Sequence, residues 1–481
     1  MLTILLIALP ILMAAAIFIL GPKPARMLAL VGGIAELFLT LFAAWQLKSG
    51  HTELLMWDHD WIGPLGISYA FNLDGISLIM VLLGALLTPI IVYASFNRTF
   101  KNPHIFYGLM MLMVGSMLGA FTTTDGLMFY IFYEFALLPI YFMILIWSDA
   151  ENKARVTLKF FLYTLFGSLF MLLSLLYVYH QAGSFSFTAL YNAGQSMSAY
   201  EQGMVFAGIF IAFAVKMPIF PFHTWQPSTY DAAPTTGTML LAAIMLKMAT
   251  YGLIRLVLPM VPEGVIHYGE WAVILSVIGI VYASCMAIVQ KRYKLLIAYS
   301  SIAHVGMISA GILSGNAQGI QGGLIEMLSH GIVAVGMFFA YDIIESRMKT
   351  DEISKLGGIR EVNPLFAFLF FVMTMASVAL PFTSGFVGEF LLMLGLFQYS
   401  EVLTAIAGLT VVLGAVYMLR AFQTMFLGTT NALTATFAPL TAHEKTVLII
   451  IVTLIVFLGV YPSPLLELSE TSVETLLLGI H

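Results

Sequence analysis

Long stretches without charge follow one another along this chain, and they decide its fold class first. Residues 2–20 hold no charged side chain, and a helix of that length covers the ~30 Å hydrocarbon core of a bilayer. Comparable runs fall near 27–46, 73–95, 105–122, 125–147, 157–180, 203–222, 234–258, 268–290, 294–314, 319–343, 365–397, 402–427 and 446–460, which makes about fourteen crossings. Lipid offers no partner for backbone polar groups, so runs this long predict an all-α, polytopic membrane protein. Only 9% of the 481 residues are charged, against roughly 25% in soluble domains. No basic segment precedes the first run, and Lys23 and Arg26 follow it; it is expected to stay as a span rather than be cleaved as a signal peptide.

Composition also narrows the chemistry. One cysteine, Cys285, cannot ligate an iron–sulfur cluster, close an internal disulfide or build a thiolate zinc site. There is no glycine-rich phosphate loop and no G-x-G-x-x-G after a strand. The expectation is no cofactor, no metal and no nucleic-acid partner for this chain.

Charge placement orients the bundle. One set of connections holds Lys23, Arg26, Arg98, Lys101, Lys153, Arg155, Lys159, Lys291, Arg292, Lys294, Arg347, Lys349, Lys355, Arg360 and Lys445, with Arg420 at a helix end on that side. The opposite set holds Lys48 and Arg255 among several acidic residues. The basic side is then cytoplasmic and both termini are external. Residues 47–72, with Trp57, Trp61, Gly63, Pro64 and Gly66, read as an ordered external cap, and residues 184–200 as an interfacial helix.

The seventh run carries Lys216, followed by Met217-Pro218 and then Phe220-Pro221-Phe222-His223-Thr224-Trp225-Gln226-Pro227. A lysine inside an apolar span costs about 2.5–3.5 kcal/mol on insertion scales, so something must use or neutralise it. Pro218 leaves the carbonyl of Ala214 unpaired and Pro221 that of Met217, which breaks the helix beside the ammonium group. The twelfth run is too long for one straight crossing and contains Pro381, Gly385 and Gly388, so it too reads as interrupted. Two broken helices five places apart, an odd offset that reverses orientation, suggest inverted repeats of helices four to eight and nine to thirteen. The chain then divides into residues 1–104, 105–258, 268–427 and 428–481, the last a helix with an external tail, and Glu134 corresponds to His304.

Eight ionisable residues lie within spans: Glu36, Glu134, Lys216, Lys247, His304, Glu326, His330 and Glu389. So many costly groups point to a charge pathway. Burial disfavours a charged form and a neighbouring opposite charge favours it, so carboxylate–lysine pairs can be tuned toward neutral pH, and histidine titrates there with little tuning. Each has a plainer reading as a structural partner between helices. Glu326 and His330 stand at i,i+4, on one helical face. Glu36 lies outside the repeats, where structural packing is the preferred reading and a place against a neighbouring subunit the alternative. A metal on His304 and His330 lacks a third ligand at fitting spacing.

The strings Phe71-Asn72-Leu73-Asp74-Gly75-Ile76-Ser77, Tyr133-Glu134, Ala214 to Pro227, Leu246-Lys247, Leu296 to Ser301 with His304, Ser329-His330-Gly331 and Thr383 to Phe390 together resemble the antiporter-like subunits of respiratory complex I. The resemblance covers residues 70–462. It is nearest the M (chain 4) branch, because Glu389 stands where the sister L and N branches carry lysine. It implies proton translocation by Glu134, Lys216, Lys247 and Glu389 within an NADH-quinone oxidoreductase, to which the ionisable row adds His304, His330 and Glu326 as candidates. NADH, FMN, iron–sulfur clusters and quinone are then expected in partner subunits, beside L-like and N-like neighbours, in a bacterial inner membrane. The chain departs from the family at Ser228, Tyr230 and Ala232, where Asp, His and Glu are usual, leaving Asp231 as a substitute; at Arg292, where Asp is usual; and at Glu326, where glutamine is usual. Two rival readings are a subunit of a multisubunit cation/proton antiporter and a purely structural spacer.

Overall fold

The computed structural model describes residues 1–480. Among them thirteen helices are long and apolar enough to cross a membrane. The fourteenth crossing is made by two shorter helices, Pro364–Ser377 and Ser384–Tyr399, separated where Pro381 stops the helical ladder. Ala379 and Phe382 in this gap have positive φ, 53° and 72°, a strained backbone for residues with side chains.

The seventh crossing, Ala199–Lys216, ends at the lysine itself, six residues short of the expected boundary. The chain turns through residues 217–221 and resumes as a short helix, Gln226–Ala232. Two further helices are irregular. The fifth, Gly126–Trp147, is divided at Ala136, just after Glu134, where Pro139 withholds an N–H from the Phe135 carbonyl. The eighth, Thr235–Met260, contains two π-helical turns, Leu241–Met245 and Leu253–Val257, on either side of Lys247–Gly252. Nothing in the apolar pattern signals these turns, which free carbonyls inside a helix.

Burial separates a central group of helices from a peripheral one. The apolar windows of the eighth and eleventh crossings (the latter Ala317–Met348) are 94% and 100% buried, while those of Glu401–Phe426 and Ala442–Val460 are 28% buried. Lys247, Glu326 and His330 therefore sit on helices shielded from lipid by other helices, where polar partners can be found.

The 47–72 segment is an ordered cap of two short antiparallel pairs, Met56–Trp57 with Phe71–Asn72 and Asp60–Ile62 with Ile67–Ser68. Asp125 ties it down: it caps the fifth crossing through the N–H groups of Leu127 and Met128 at 2.9 and 3.0 Å and accepts from Ser68 N–H at 3.3 Å. Residues Phe187–Ser196 form a separate short helix.

The last residues are not a loose tail. Ser463–Leu478 is a helix laid against the third crossing, Gly75–Asn97, where Gly75 N–H donates to Ser472 Oγ at 2.9 Å. A Cβ on Gly75 would fall 1.9 Å from the Leu468 carbonyl oxygen, so only glycine admits this contact.

Two basic residues differ from their expected settings, and Glu36 takes the packed one of its two. Arg255 is paired with Asp74 at the start of the third crossing rather than standing in a connection. Lys294 is buried and donates to the carbonyls of Asp231 and Ala233 at 3.1 and 2.9 Å. Glu36 is 1% exposed, so within this chain it is covered by its own helices and does not face a neighbouring subunit.

Candidate functional site

Lys216 closes its helix with its Nζ 2.7 Å from the Tyr133 carbonyl and 3.3 Å from the centre of the Tyr133 ring. The kink at Ala136 sets this geometry, because it loosens the turn that holds both Tyr133 and Glu134. A carbonyl and an aromatic face both favour the ammonium form. Glu134 is within electrostatic reach of Lys216, yet among the described residues it forms no ion pair, and its Oε1 has no hydrogen-bond partner. The expected pair is thus two neighbouring charges without contact.

Lys247 is 0% exposed. Its Nζ donates to the Ala242 carbonyl at 2.6 Å and lies 2.7 Å from His330 Nδ1. Ala242 belongs to the first π turn, so the helical irregularity supplies the acceptor. With Lys247 as the ammonium, His330 Nδ1 accepts and the ring proton sits on Nε2; with Lys247 neutral the roles can reverse.

His330 and His304 follow with ring centres 5.5 Å apart. His304 Nδ1 is 2.9 Å from Glu389 Oε1 and 3.9 Å from Glu326 Oε1. Gly388 permits this convergence: a Cβ there would come within 2.6 Å of Glu326 Oε2 and 2.7 Å of Glu326 Cβ. Glu326 Oε2 has no partner. A cavity of about 20 Å³, lined by Ser300, Ser301, His304, Glu326, Ser329 and His330 among others, has room for one water.

All seven expected site residues are therefore placed within the bundle, and five of them, Lys247, His330, His304, Glu326 and Glu389, form one connected cluster. No hydrogen bond or ion pair joins Lys216 to Lys247 among the described residues. A ligand set not weighed in the sequence, which leaves out His330, does come together: ligand atoms of His304, Glu326 and Glu389 lie within 4.8 Å of one another. That donor set suits a divalent cation; His304 Nδ1 also stands 2.9 Å from Glu389 Oε1, an ion pair when the ring is protonated.

On the basic side, the two departures Asp231 and Arg292 are partners. Arg292 bridges Asp231 at 2.8 Å and Asp351 at 2.9 Å. Beside them opens a polar cavity of about 530 Å³ whose walls include Lys101, Lys153, Asp231, Thr235, Lys294 and Asp342. Sequence reading missed the Asp74–Arg255 pair and the Arg98 clamp on Asp342 and Glu345 at 2.9 and 2.6 Å. The first had a local sign, since Asp74 caps its helix by accepting from Ser77 N–H at 2.9 Å; the second joins residues 244 positions apart and had none.

Residues 123–415 match the family described as NADH:quinone oxidoreductase/Mrp antiporter, transmembrane. The chain is 37% identical over 454 residues to NADH-quinone oxidoreductase subunit M of Rickettsia typhi, covering 94% of this chain and 92% of that one. Among solved structures it superposes with TM-score 0.91 and 28% identity on a chain of respiratory complex I from Thermus thermophilus with bound NADH, covering 100% of both. It also matches a chain of the Mrp complex from Dietzia sp. DQ12-45-1b with TM-score 0.87 and 21% identity, over 99% of this chain and 97% of that one, a likeness of fold alone. With the family match spanning more than half of the residues and a relative of this identity aligned almost end to end, the chain belongs to the NADH:quinone oxidoreductase/Mrp antiporter family of multi-pass membrane subunits.

Proposed function

We propose that this chain is the M-type, proton-translocating subunit in the membrane arm of an NADH-quinone oxidoreductase. The observation that carries the reading is the buried string of contacts Lys247–His330–His304–Glu389, at 2.7 Å, 5.5 Å between ring centres and 2.9 Å. Every member can bind and release a proton, and together they cross a region shielded from lipid. A spacer has no use for groups so costly to insert.

In the proposed cycle the charge on Glu134 favours the protonated form of Lys216. When that influence is altered, Lys216 gives up its proton, which passes through water to Lys247. From Lys247 it moves along His330 and His304 to Glu389, which releases it outside, with Glu326 as a second acceptor beside His304. Oxidation of NADH and reduction of quinone occur on FMN, iron–sulfur clusters and quinone in partner subunits, with L-like and N-like subunits adjacent. The chain sits in a bacterial inner membrane with both termini external. The breaks after Lys216 and before Glu389 are equivalent points of the inverted repeats formed by helices four to eight and nine to thirteen.

The shared fold with the Mrp complex supports one rival, cation/proton exchange; a requirement for sodium in transport would favour it. The deciding experiment is Lys247→Met in the assembled complex, reconstituted in vesicles. NADH-driven proton uptake into the vesicles is expected to fall at least tenfold, about 1.4 kcal/mol or more of barrier. Pumping at the wild-type rate by assembled Lys247→Met would end the relay reading.

A further inference from the structure

Glu326 brings a second buried carboxyl group to His304, beside the line Lys247–His330–His304–Glu389. It is 2% exposed, and its Oε2 has no hydrogen-bond partner among the described residues. The nearby Lys247 is engaged by the Ala242 carbonyl and His330 instead. A buried charge is ordinarily paired or bound to a metal. Around Glu326 stand Glu389, also buried, and His304, whose Nδ1 lies 2.9 Å from Glu389 Oε1 and 3.9 Å from Glu326 Oε1.

Three helices deliver these side chains: Tyr293–Leu313, Ala317–Met348 and Ser384–Tyr399. The last two are pinned on either side of the carboxyl groups. Ser329 Oγ donates to Ser384 Oγ at 2.8 Å, and Asn316 Nδ2 donates to the Gly395 carbonyl at 2.8 Å. Supports of this kind hold donor atoms in place before a ligand arrives.

We propose that His304, Glu326 and Glu389 bind one divalent cation of the zinc class. An imidazole nitrogen with carboxylate oxygens is a zinc donor set, whereas calcium asks for a larger shell of oxygens and magnesium for an oxygen octahedron. Zinc bonds of ~2.0–2.2 Å place tetrahedral ligand atoms roughly 3.3–3.6 Å apart, and the separations of 2.9 and 3.9 Å bracket that spacing. The cavity of about 20 Å³ against His304 and Glu326 has room for the single water that completes four-coordination. Two carboxylates balance the two charges of the cation, so the occupied site is neutral within the membrane; a monovalent cation would leave one charge uncompensated. The ligating nitrogen must carry no proton. On the relay reading above, the bound cation therefore takes the place of the proton between His304 and Glu389 and stops pumping.

The test uses the assembled complex with Zn²⁺ as the probe, and its binding arm does not depend on the relay. Wild-type, Glu326→Gln and His304→Gln complexes of equal subunit content are equilibrated with Zn²⁺, desalted and analysed for metal. Wild type is expected to retain one more zinc per complex than either variant, with no displacement by equimolar Mg²⁺. The Zn²⁺ concentration that halves NADH-driven proton uptake, relative to each complex's own uninhibited rate, is expected to rise at least tenfold in Glu326→Gln, a loss no smaller than that from removing an outer-shell partner. Should Glu326→Gln not assemble, Glu326→Asp, which withdraws the carboxylate by one carbon, carries the same expectation. Equal zinc in wild type and both variants would overturn the site, as would displacement of the extra zinc by equimolar Mg²⁺. Loss of the extra zinc in both variants, with wild-type pumping untouched by zinc, would uphold the site and take the cluster out of the proton route, so that the relay reading alone falls.

Discussion

Around Lys216 the ammonium rests on a backbone carbonyl and an aromatic face, with its carboxylate neighbour out of contact. Around His304 the ionisable groups touch one another. The first arrangement keeps a charge whose neighbour can be moved without breaking a bond between them, so it responds to a change elsewhere. The second is a row of close groups, Lys247 on His330 and His304 beside Glu389, with the two rings 5.5 Å apart between their centres, which suits passage of a proton in the proposed cycle. In the proposed cycle the first site is modulated and the second conducts, and the two differ in whether the ionisable side chains reach one another.

The largest expected effect comes from deleting the modulated charge. Lys216→Ala should abolish NADH-driven pumping in an assembled complex, whereas Glu134→Gln, which removes only a neighbour at a distance, should reduce it several-fold, of order 1 kcal/mol in barrier. Equal loss in the two variants would show that they act as a bonded pair and would erase the contrast drawn here.

Next comes the conducting side. Glu389→Gln keeps size and hydrogen bonding but cannot release a proton, so pumping should fall at least tenfold, a barrier increase of about 1.4 kcal/mol or more, while Glu389→Asp should keep part of the rate. Should Glu389→Gln pump normally, release must run through Glu326 instead, and the contact between His304 and Glu389 would be structural.

The smallest effect tests packing. Gly388→Ala would place a methyl group against Glu326, at 2.6 Å from Oε2, and the broken twelfth helix must then retreat from the eleventh. The expected loss is about 1–3 kcal/mol, as for other insertions into close-packed sites, read as a lower midpoint in thermal unfolding of the detergent-solubilised complex. A midpoint equal to wild type would mean that Glu326 moves freely, and the cluster would be less tightly built than described.

Much of this was legible without coordinates. Helix number, the breaks after Lys216 and at Pro381, and the identities of the costly residues all follow from local rules: hydrocarbon thickness, the missing proline N–H and the expense of charge in lipid. The π turns flanking Lys247 were not legible, because backbone register inside an apolar helix leaves no trace in hydropathy. The C-terminal helix, expected as a tail, was missed since its sixteen residues are too short and too polar to read as a span. Which neighbours cover Glu36 was not legible either, since hydropathy marks a carboxyl as costly without saying what packs on it.

What the sequence by itself determined is a many-spanning helical bundle, its family and the set of residues able to carry protons, for these depend on composition and on rules acting over a few residues. Tertiary structure alone decided who touches whom. It made Lys247 a partner of His330, brought Glu326 and Glu389 to one histidine, and kept Glu134 out of contact with Lys216. Those distances are set by how helices far apart in sequence pack, and proton transfer depends on distances of a few tenths of an ångström, which no one-dimensional pattern contains.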